Sequence, residues 1–281
     1  MDLETLKTFV EVSRTRHFAR AANNLFVTQA AVSARIAQLE EKLGTKVFTR
    51  ARNNIQLTTA GHRLLPHAET MLGAWNRALL ESAGPDDATL VTIGCMPSIA
   101  EMHLDEIIAY YRTDLEIMIH IEQLNSATIV SRVREQTVNI GLLYEPPRAK
   151  DLTSRRVADL ELILVSSRDK NSVAEVENYI YVDWGPSFAI SHELDMLEPP
   201  VQEMRVDTPG PALRSLLNSG GAAYLPKTLV AEHLAKKDLF RVQGAPELTR
   251  SIFLTTSLQS ADQEAVVDVA TELTQLVGGG L

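Results

Sequence analysis

The chain lacks the features of a secreted or membrane protein. Its 281 residues include a single cysteine, Cys95, which excludes an internal disulfide and fits a reducing compartment. No apolar run approaches the roughly 20 residues that a membrane helix needs, and the acidic residues 1–4 do not resemble the basic and then apolar start of a signal peptide. We therefore expect a cytoplasmic protein with no membrane partner.

The sequence also lacks the short motifs of several enzyme classes. It contains no Gly-x-Ser-x-Gly elbow, no Walker loop and no dinucleotide-binding glycine fingerprint. His62 and His67 are five residues apart, which does not place them on one helix face for a metal. We expect no catalytic residues, no metal and no cofactor. Cys95 is expected to be a small buried apolar residue, with a redox sensor as the alternative.

Positive charge is scarce in the chain as a whole but not in its first third. The net charge of the chain is −9. Residues 1–84 carry eleven Lys and Arg against seven Asp and Glu, a net charge of +4, so the remainder carries −13. Only the N-terminal part therefore has the charge expected of a protein that binds the phosphate backbone of a nucleic acid.

The N-terminal part has the pattern of three short helices. Apolar residues at helical spacing predict a helix over residues 2–14, and a short second helix begins near Phe18. Thr28 and Gly44 are suitable N- and C-caps of a third helix. The apolar stripe of this helix comprises Val32, Ile36, Leu39 and Leu43. Two helices joined by a tight turn form a helix-turn-helix, which places its second helix in the major groove of DNA.

Small polar side chains lie on the face of the third helix opposite this stripe. Glutamine can pair with adenine, serine can bond bases or phosphates, and an alanine methyl can touch a thymine methyl. Basic side chains suit phosphates, which position a protein without specifying sequence. The expected DNA contacts on this helix are Thr28, Gln29, Ala30, Ser33 and Arg35. For any one of them alone, an ordinary solvated helix face is the alternative.

A basic hairpin is predicted after the third helix. Asn53 and Asn54 separate two short apolar strands and favour the positive φ of a hairpin turn. Arg50 and Arg52 near the tip suit phosphates or a narrow minor groove, as in the wing of a winged helix-turn-helix. A hairpin that is basic by chance is the alternative. We expect Arg50, Arg52 and Thr58 to contact DNA.

Residues 18–40 and 47–61 together resemble the N-terminal domain of LysR-type transcriptional regulators. Ala34 and Asn53 depart from that pattern, because many members have a basic or polar residue at the first position and an arginine at the second. The resemblance implies sequence-specific binding to double-stranded promoter DNA by a homodimer or homotetramer, with RNA polymerase as a candidate partner. The segments 48–55 and 184–188 are most similar to the branch that contains a flagellar master-operon repressor.

A long helix with a heptad pattern follows the hairpin. Residues 57, 64 and 71 are seven apart, and residues 61, 68 and 75 repeat the spacing with an offset of four. Such a stripe predicts a partner helix from a second copy of the chain, and packing onto the chain's own C-terminal part is the alternative. The residues expected at the dimer interface are Leu57, Leu64, Ala68, Met71 and Trp75.

The remainder of the chain alternates strand and helix patterns. The order strand-helix-strand-helix-strand over residues 90–143 implies parallel strands. This layout resembles the effector domain of the same family, two α/β lobes similar to periplasmic binding proteins. The expected fold is a multidomain α/β protein. Its domains are a winged helix-turn-helix (1–57), a linker helix (58–84) and an effector-binding domain (85–281), with lobe I at about 90–160 and 254–281 and lobe II at about 161–253.

By the same resemblance, a small-molecule effector would bind between the lobes. Ser98, Ser126 and Thr208 match the ligand-facing positions by placement, and hydroxyls at helix starts can hold anionic groups. Ordinary N-caps are the alternative for all three. Trp184 and Phe188 either line the cleft or fill lobe II. The alternative functions are a regulator without a ligand and a metabolite-binding protein without specific DNA readout.

Overall fold

The computed structural model describes residues 2–51, 54–83, 88–112, 116–170, 172–194 and 202–279, and these fall into one unit at Met1–Gly84 and another at Pro85–Leu281. Within the described ranges, no helix is long and apolar enough to cross a membrane. The same ranges contain no group of three or more His, Cys, Asp or Glu that could hold a metal ion.

The N-terminal unit contains three short helices, a hairpin and one long helix. Its elements are α1 (Leu3–Thr15), α2 (Phe18–Asn24), α3 (Gln29–Leu43), β1 (Phe48–Ala51), β2 (Asn54–Leu57) and α4 (Thr59–Ala83). The core of the unit lies between α1, α2 and α3, where Ala21 and Ala22 are buried. The Phe9 and Phe48 rings, 5.4 Å apart, join the hairpin to this core. The predicted helices are confirmed.

Two details of this unit differ from the prediction. Ala51 pairs with Asn54 in the antiparallel hairpin, so Asn54 is a strand residue and not part of the turn; Asn53 lies outside the described residues. Leu43 is exposed instead of buried, because it is the last residue of α3 and Gly44 turns the chain away in a left-handed conformation (φ 67°).

The second unit begins with the predicted alternation of strands and helices. Its first elements are β3 (Thr89–Cys95), α5 (Pro97–Tyr111), β4 (Ile117–Gln123), α6 (Ser126–Arg134) and β5 (Ile140–Leu143). β3 is parallel to both β4 and β5, as predicted. The C-terminal helix α10 (Glu264–Gly279) packs against α5 and β3. We call these elements lobe I.

A second group of elements, lobe II, continues the same sheet. Its elements are β7 (Tyr179–Val182), α7 (Pro186–Leu194), β8 (Gln202–Val206), α8 (Pro209–Ser219), β9 (Ala222–Pro226), α9 (Lys227–Lys236) and β10 (Phe240–Arg241), with a short 3₁₀ helix at Val173–Glu175. Two long antiparallel strands, β6 (Leu152–Ser166) and β11 (Leu248–Ser257), connect the lobes. The strand order is β4-β3-β5-β11-β6-β9-β7-β8, with β10 beside β6.

Candidate functional site

The start of α3 presents the residues that the sequence predicted to face DNA. The Thr28 hydroxyl accepts a hydrogen bond from the Ala31 N–H (3.2 Å), so Thr28 caps the helix as predicted. Thr28, Gln29 and Ala30 are exposed, and Ser33 is half-buried. Because Val32 and Ile36 are buried, the exposed residues occupy the opposite face of the first two turns. This end of α3 can therefore enter a groove without any change in the packing of the unit.

Two other residues predicted to contact DNA already have partners within the unit. Arg35 donates to the Thr8 hydroxyl (3.2 Å) and lies 3.5 Å from the Glu4 carboxylate, both on α1. The Thr58 hydroxyl donates to the Lys46 carbonyl oxygen (2.7 Å) and accepts from the Gly61 N–H (3.0 Å). These bonds orient α3 on α1 and α4 on the hairpin, so either side chain would have to exchange a partner to bond a phosphate.

The wing lies only partly within the described residues. Arg50 occupies β1 opposite Ile55, and Arg52 lies outside the described residues. The contacts of both arginines with DNA stay predictions.

Sequence reasoning missed one residue beside the start of α3. Phe26 lies in the turn between α2 and α3, is 96% exposed and has a φ of 54°. The left-handed region is costly for a bulky residue and favours glycine or asparagine. In the sequence, only the position of Phe26 in the predicted turn could have indicated its exposure. Phe26 therefore places an exposed ring on a strained backbone two residues before the N-cap of the predicted groove-binding helix.

The predicted dimer stripe divides into two parts. Ala68 is buried in the core of its own unit, and Leu57 and Leu64 pack against that core. Met71 and Trp75 are 40% and 43% exposed. The first part therefore holds α4 on its own unit, and only the second part is available to another copy of the chain.

The Ser98 hydroxyl already has a partner inside lobe I. Ser98 is 1% exposed, and its hydroxyl oxygen lies 2.9 Å from that of Tyr144. Burial raises the pKa of Tyr144, so its phenol stays protonated at neutral pH. The N-cap of α5 is Met96, so the alternative interpretation of Ser98 as an N-cap is wrong. Ser98 instead fixes the Tyr144 ring.

The other two predicted effector residues occupy different positions at their helices. Asn125 caps α6 by accepting from the Thr128 N–H (2.9 Å), so Ser126 is not the N-cap. Thr208 is the N-cap residue of α8, but its side chain makes no capping hydrogen bond. The Gly210 N–H in the first turn of α8 donates instead to Glu101 of α5 (3.1 Å). An acidic side chain of lobe I thus reaches a helix start of lobe II.

A buried arginine, also missed by sequence reasoning, joins the lobes at the crossover strands. Arg250 on β11 is 7% exposed, and its Nε donates to the Trp184 carbonyl oxygen (2.9 Å). Its Nη2 lies 2.6 Å from Glu145 Oε1, which also accepts from the Ser187 N–H at the start of α7 (3.1 Å). The guanidinium group lies over the Tyr144 ring, 5.4 Å from its centre. The only sequence signal was that Arg250 is the one charged residue of the strand Leu248–Ser257.

The aromatic residues of lobe II form its interior. Trp184 and Phe188 are fully buried, and the Trp184 indole donates to the Tyr224 carbonyl oxygen (3.1 Å). Of the two predicted roles, they therefore fill lobe II. Cys95, at the end of β3, is buried as well, and burial raises the pKa of its thiol. The described geometry favours the apolar role of Cys95 over the redox role, because a reactive thiol needs a lowered pKa.

Both units match sequence models of one family. Residues 3–62 match that of the bacterial regulatory helix-turn-helix protein, lysR family, and residues 86–277 match that of the LysR substrate binding domain. The HTH-type transcriptional regulator HdfR of Yersinia enterocolitica is 35% identical over 282 residues, which cover 95% of this chain and 94% of the relative. The protein of that name from Salmonella schwarzengrund is 34% identical over 274 residues, which cover 95% and 96%.

Solved structures show the same fold. CbnR, a LysR family transcriptional regulator, is similar with a TM-score of 0.67 at 18% identity over 99% of each chain. Vibrio fischeri DarR, solved in complex with DNA, has a TM-score of 0.60 at 20% identity over 98% of this chain and 99% of that chain. The predicted winged helix-turn-helix and two-lobed α/β domain are confirmed. The chain belongs to the LysR family of bacterial helix-turn-helix transcriptional regulators.

Proposed function

We propose that this DNA-binding transcriptional regulator reads promoter DNA with the N-terminal end of α3. The observation that carries the proposal is the exposed start of that helix, where Thr28, Gln29 and Ala30 face outward over a buried stripe. Gln29 would pair with a base edge, and Ala30 and Ser33 would make smaller contacts in the major groove. Because the exposed side chains of Ala30 and Ala34 cannot form hydrogen bonds, part of the specificity would come from DNA shape and half-site spacing.

The basic side chains would hold the DNA backbone. We propose that Arg50 and Arg52 of the wing contact phosphates or the minor groove, and that Arg35 and Thr58 add phosphate contacts at the edge of α3 and of the hairpin. The net charge of +4 on residues 1–84 supports this role, since the rest of the chain is acidic.

The chain would act as a homodimer or a dimer of dimers. Met71 and Trp75 on the second part of α4 are exposed, with Leu79 one turn further on. A second α4 would cover this apolar strip, and Leu57, Leu64 and Ala68 would support it from within the unit. Two N-terminal units held together by paired α4 helices would read paired half-sites. RNA polymerase is the partner that we propose for the complex at a promoter.

The second unit would control when the DNA-binding unit acts. We propose domains at 1–57, 58–84 and 85–281, and an effector cleft between the lobes near Ser98, Ser126 and Thr208. We assign the chain to the cytoplasm and give no residue a catalytic role, because its relatives are named as transcriptional regulators.

A footprint on the chain's own upstream region tests the proposed function. The full chain should protect a defined segment of that DNA at a concentration at which a scrambled fragment of equal length and composition stays unprotected. Affinity should fall steeply with salt, since phosphate contacts release counterions. Equal protection of both fragments at every salt concentration would favour a metabolite-binding protein without specific readout.

A further inference from the structure

Two carboxylates at the edge of lobe I accept hydrogen bonds from the starts of lobe II helices. Glu101 on α5 accepts from the Gly210 N–H in the first turn of α8 (3.1 Å). Glu145, two residues after β5, accepts from the Ser187 N–H in the first turn of α7 (3.1 Å). The start of a helix carries partial positive charge and unpaired N–H groups, so both carboxylates stabilise the contact between the lobes.

The two contacts differ in their surroundings. Glu145 is held in addition by the buried guanidinium of Arg250, so it is a permanent part of the junction. Glu101 is exposed to solvent. A carboxylate in water can leave a helix start and return at little cost, because water bonds both groups when they separate. Glu101 is therefore the exchangeable contact of the pair.

The first turn of α8 is adapted to a carboxylate from the other lobe. Its N-cap residue Thr208 makes no side-chain capping bond, although threonine commonly supplies one. A Cβ atom on Gly210 would overlap the Glu101 carboxylate, so the glycine gives the carboxylate access to the backbone. The missing Thr208 bond and the missing side chain at Gly210 together allow the Glu101 carboxylate to cap α8.

We propose that Glu101 takes the place of an effector's anionic group and closes the lobes without a ligand. Its carboxylate bridges α5 to α8, while the hydroxyl of Ser98 on the same helix is already bonded to Tyr144. An anionic effector that uses the start of α8 must displace Glu101, so the closed arrangement is the resting one. This inference rests on the proposed cleft as the control site of the regulator.

Amide hydrogen exchange and an interlobe distance measured on the full chain test this role. Glu101→Ala removes the carboxylate. Gly210→Ala keeps the carboxylate but places a methyl group where it binds, and alanine has a higher helix propensity than glycine. Spin labels at the exposed positions Ile108 on α5 and Ile190 on α7 report the separation of the lobes, and buried Cys95 should not take a label. Asp105→Ala, an exposed acid on the same helix, is the matched control.

We expect exchange in the first turn of α8 to become about two- to fivefold faster in both variants, as a charge at a helix start implies. The interlobe distance should lengthen or broaden in both. Asp105→Ala should match the parent chain. Unchanged exchange and distance in Glu101→Ala would overturn the proposal. The footprint of the parent chain is scored separately, so failure of specific DNA binding cannot be mistaken for failure of this contact.

Discussion

The start of α3 and the cleft between the lobes both carry small polar groups at helix starts, but those groups differ in their partners. On α3, Gln29 and Ala30 face solvent. In the cleft, Ser98 is bonded to Tyr144 and the first turn of α8 is bonded to Glu101. At Gln29 and Ala30, DNA would replace only water, whereas an effector would have to replace bonds within the chain. The proposed DNA-binding surface at the start of α3 is therefore preformed, whereas the proposed effector positions Ser98 and the first turn of α8 are already bonded within the chain.

The largest expected effect comes from breaking the closed junction. In Arg250→Leu, Glu145 would lose its buried cation and the Trp184 carbonyl oxygen its donor. We expect the free energy of unfolding of the second unit to fall by about 3 kcal/mol. Urea unfolding followed by tryptophan fluorescence measures this change, since Trp184 lies at the junction.

The matched control is an arginine whose salt bridge is open to water. Arg241 pairs with Glu247 (2.8 Å), and both side chains are nearly half exposed. Arg241→Leu should change the free energy of unfolding by less than about 1 kcal/mol. Equal losses in the two variants would show that the contacts of Arg250 stabilise the unit no more than an exposed salt bridge does, and would contradict the role of the junction in holding the lobes.

A smaller effect is expected from a buried histidine on α5. Neither ring nitrogen of His103 has a hydrogen-bond partner among the described residues, and the Glu106 carboxylate lies 3.8 Å from its Nδ1. Burial lowers the pKa of His103, and the nearby Glu106 carboxylate raises it by less. The His103 imidazole therefore stays neutral in the folded state at pH values at which it binds a proton in the unfolded state. The stability of the second unit should therefore fall as pH drops below about 6.5, the ordinary histidine pKa.

Substituting His103 isolates this contribution. His103→Leu should be about 1 kcal/mol more stable than the parent at neutral pH, since two buried nitrogens without hydrogen bonds are removed. It should also lose less stability between pH 7.5 and pH 5.5. The remaining dependence would include His192, whose pKa is also lowered by burial. Urea unfolding at the two pH values measures the stability of each protein and its loss at low pH. An equal loss in His103→Leu and in the parent would contradict the role of His103.

The smallest effect concerns the turn before α3. Phe26→Asn should stabilise the N-terminal unit by about 0.5 kcal/mol, because asparagine tolerates the left-handed conformation that Phe26 adopts (φ 54°). Thermal unfolding of the N-terminal unit measures the gain, with Phe18→Asn as the destabilising comparison because Phe18 packs against the Phe48 ring. A loss of stability in Phe26→Asn would show that the exposed ring contributes to the fold.

The N-terminal unit was predictable because its signals are local. Thr28 and Gly44 fix the ends of α3 through bonds within a few residues, and the buried stripe repeats at helical spacing. The hydrogen bond of Arg35 was harder to predict, since its partner Thr8 lies 27 residues away on a separate helix. The sequence therefore predicted the exposed face of α3 but not the internal contact of Arg35.

The interior of the second unit depends on contacts that are distant in the chain. Arg250 and Glu145 are 105 residues apart, and Glu101 and Gly210 are 109 apart, so no sequence spacing connects them. β7 and β10 are too short for a period to be recognised. The strand-helix order of lobe I was sufficient to predict its parallel strands, but the contacts between the lobes were not predictable.

The proposed function depends most directly on which face of α3 reads DNA. Gln29 and Gln38 are both exposed, and at 100° per residue they lie on opposite faces of the same helix. Affinity for the footprinted fragment and for its scrambled control can be measured by fluorescence anisotropy for the parent, Gln29→Ala and Gln38→Ala. We predict that Gln29→Ala loses about five- to 150-fold in affinity for the footprinted fragment alone, while Gln38→Ala matches the parent. Unchanged binding in Gln29→Ala, or an equal loss in Gln38→Ala, would contradict it.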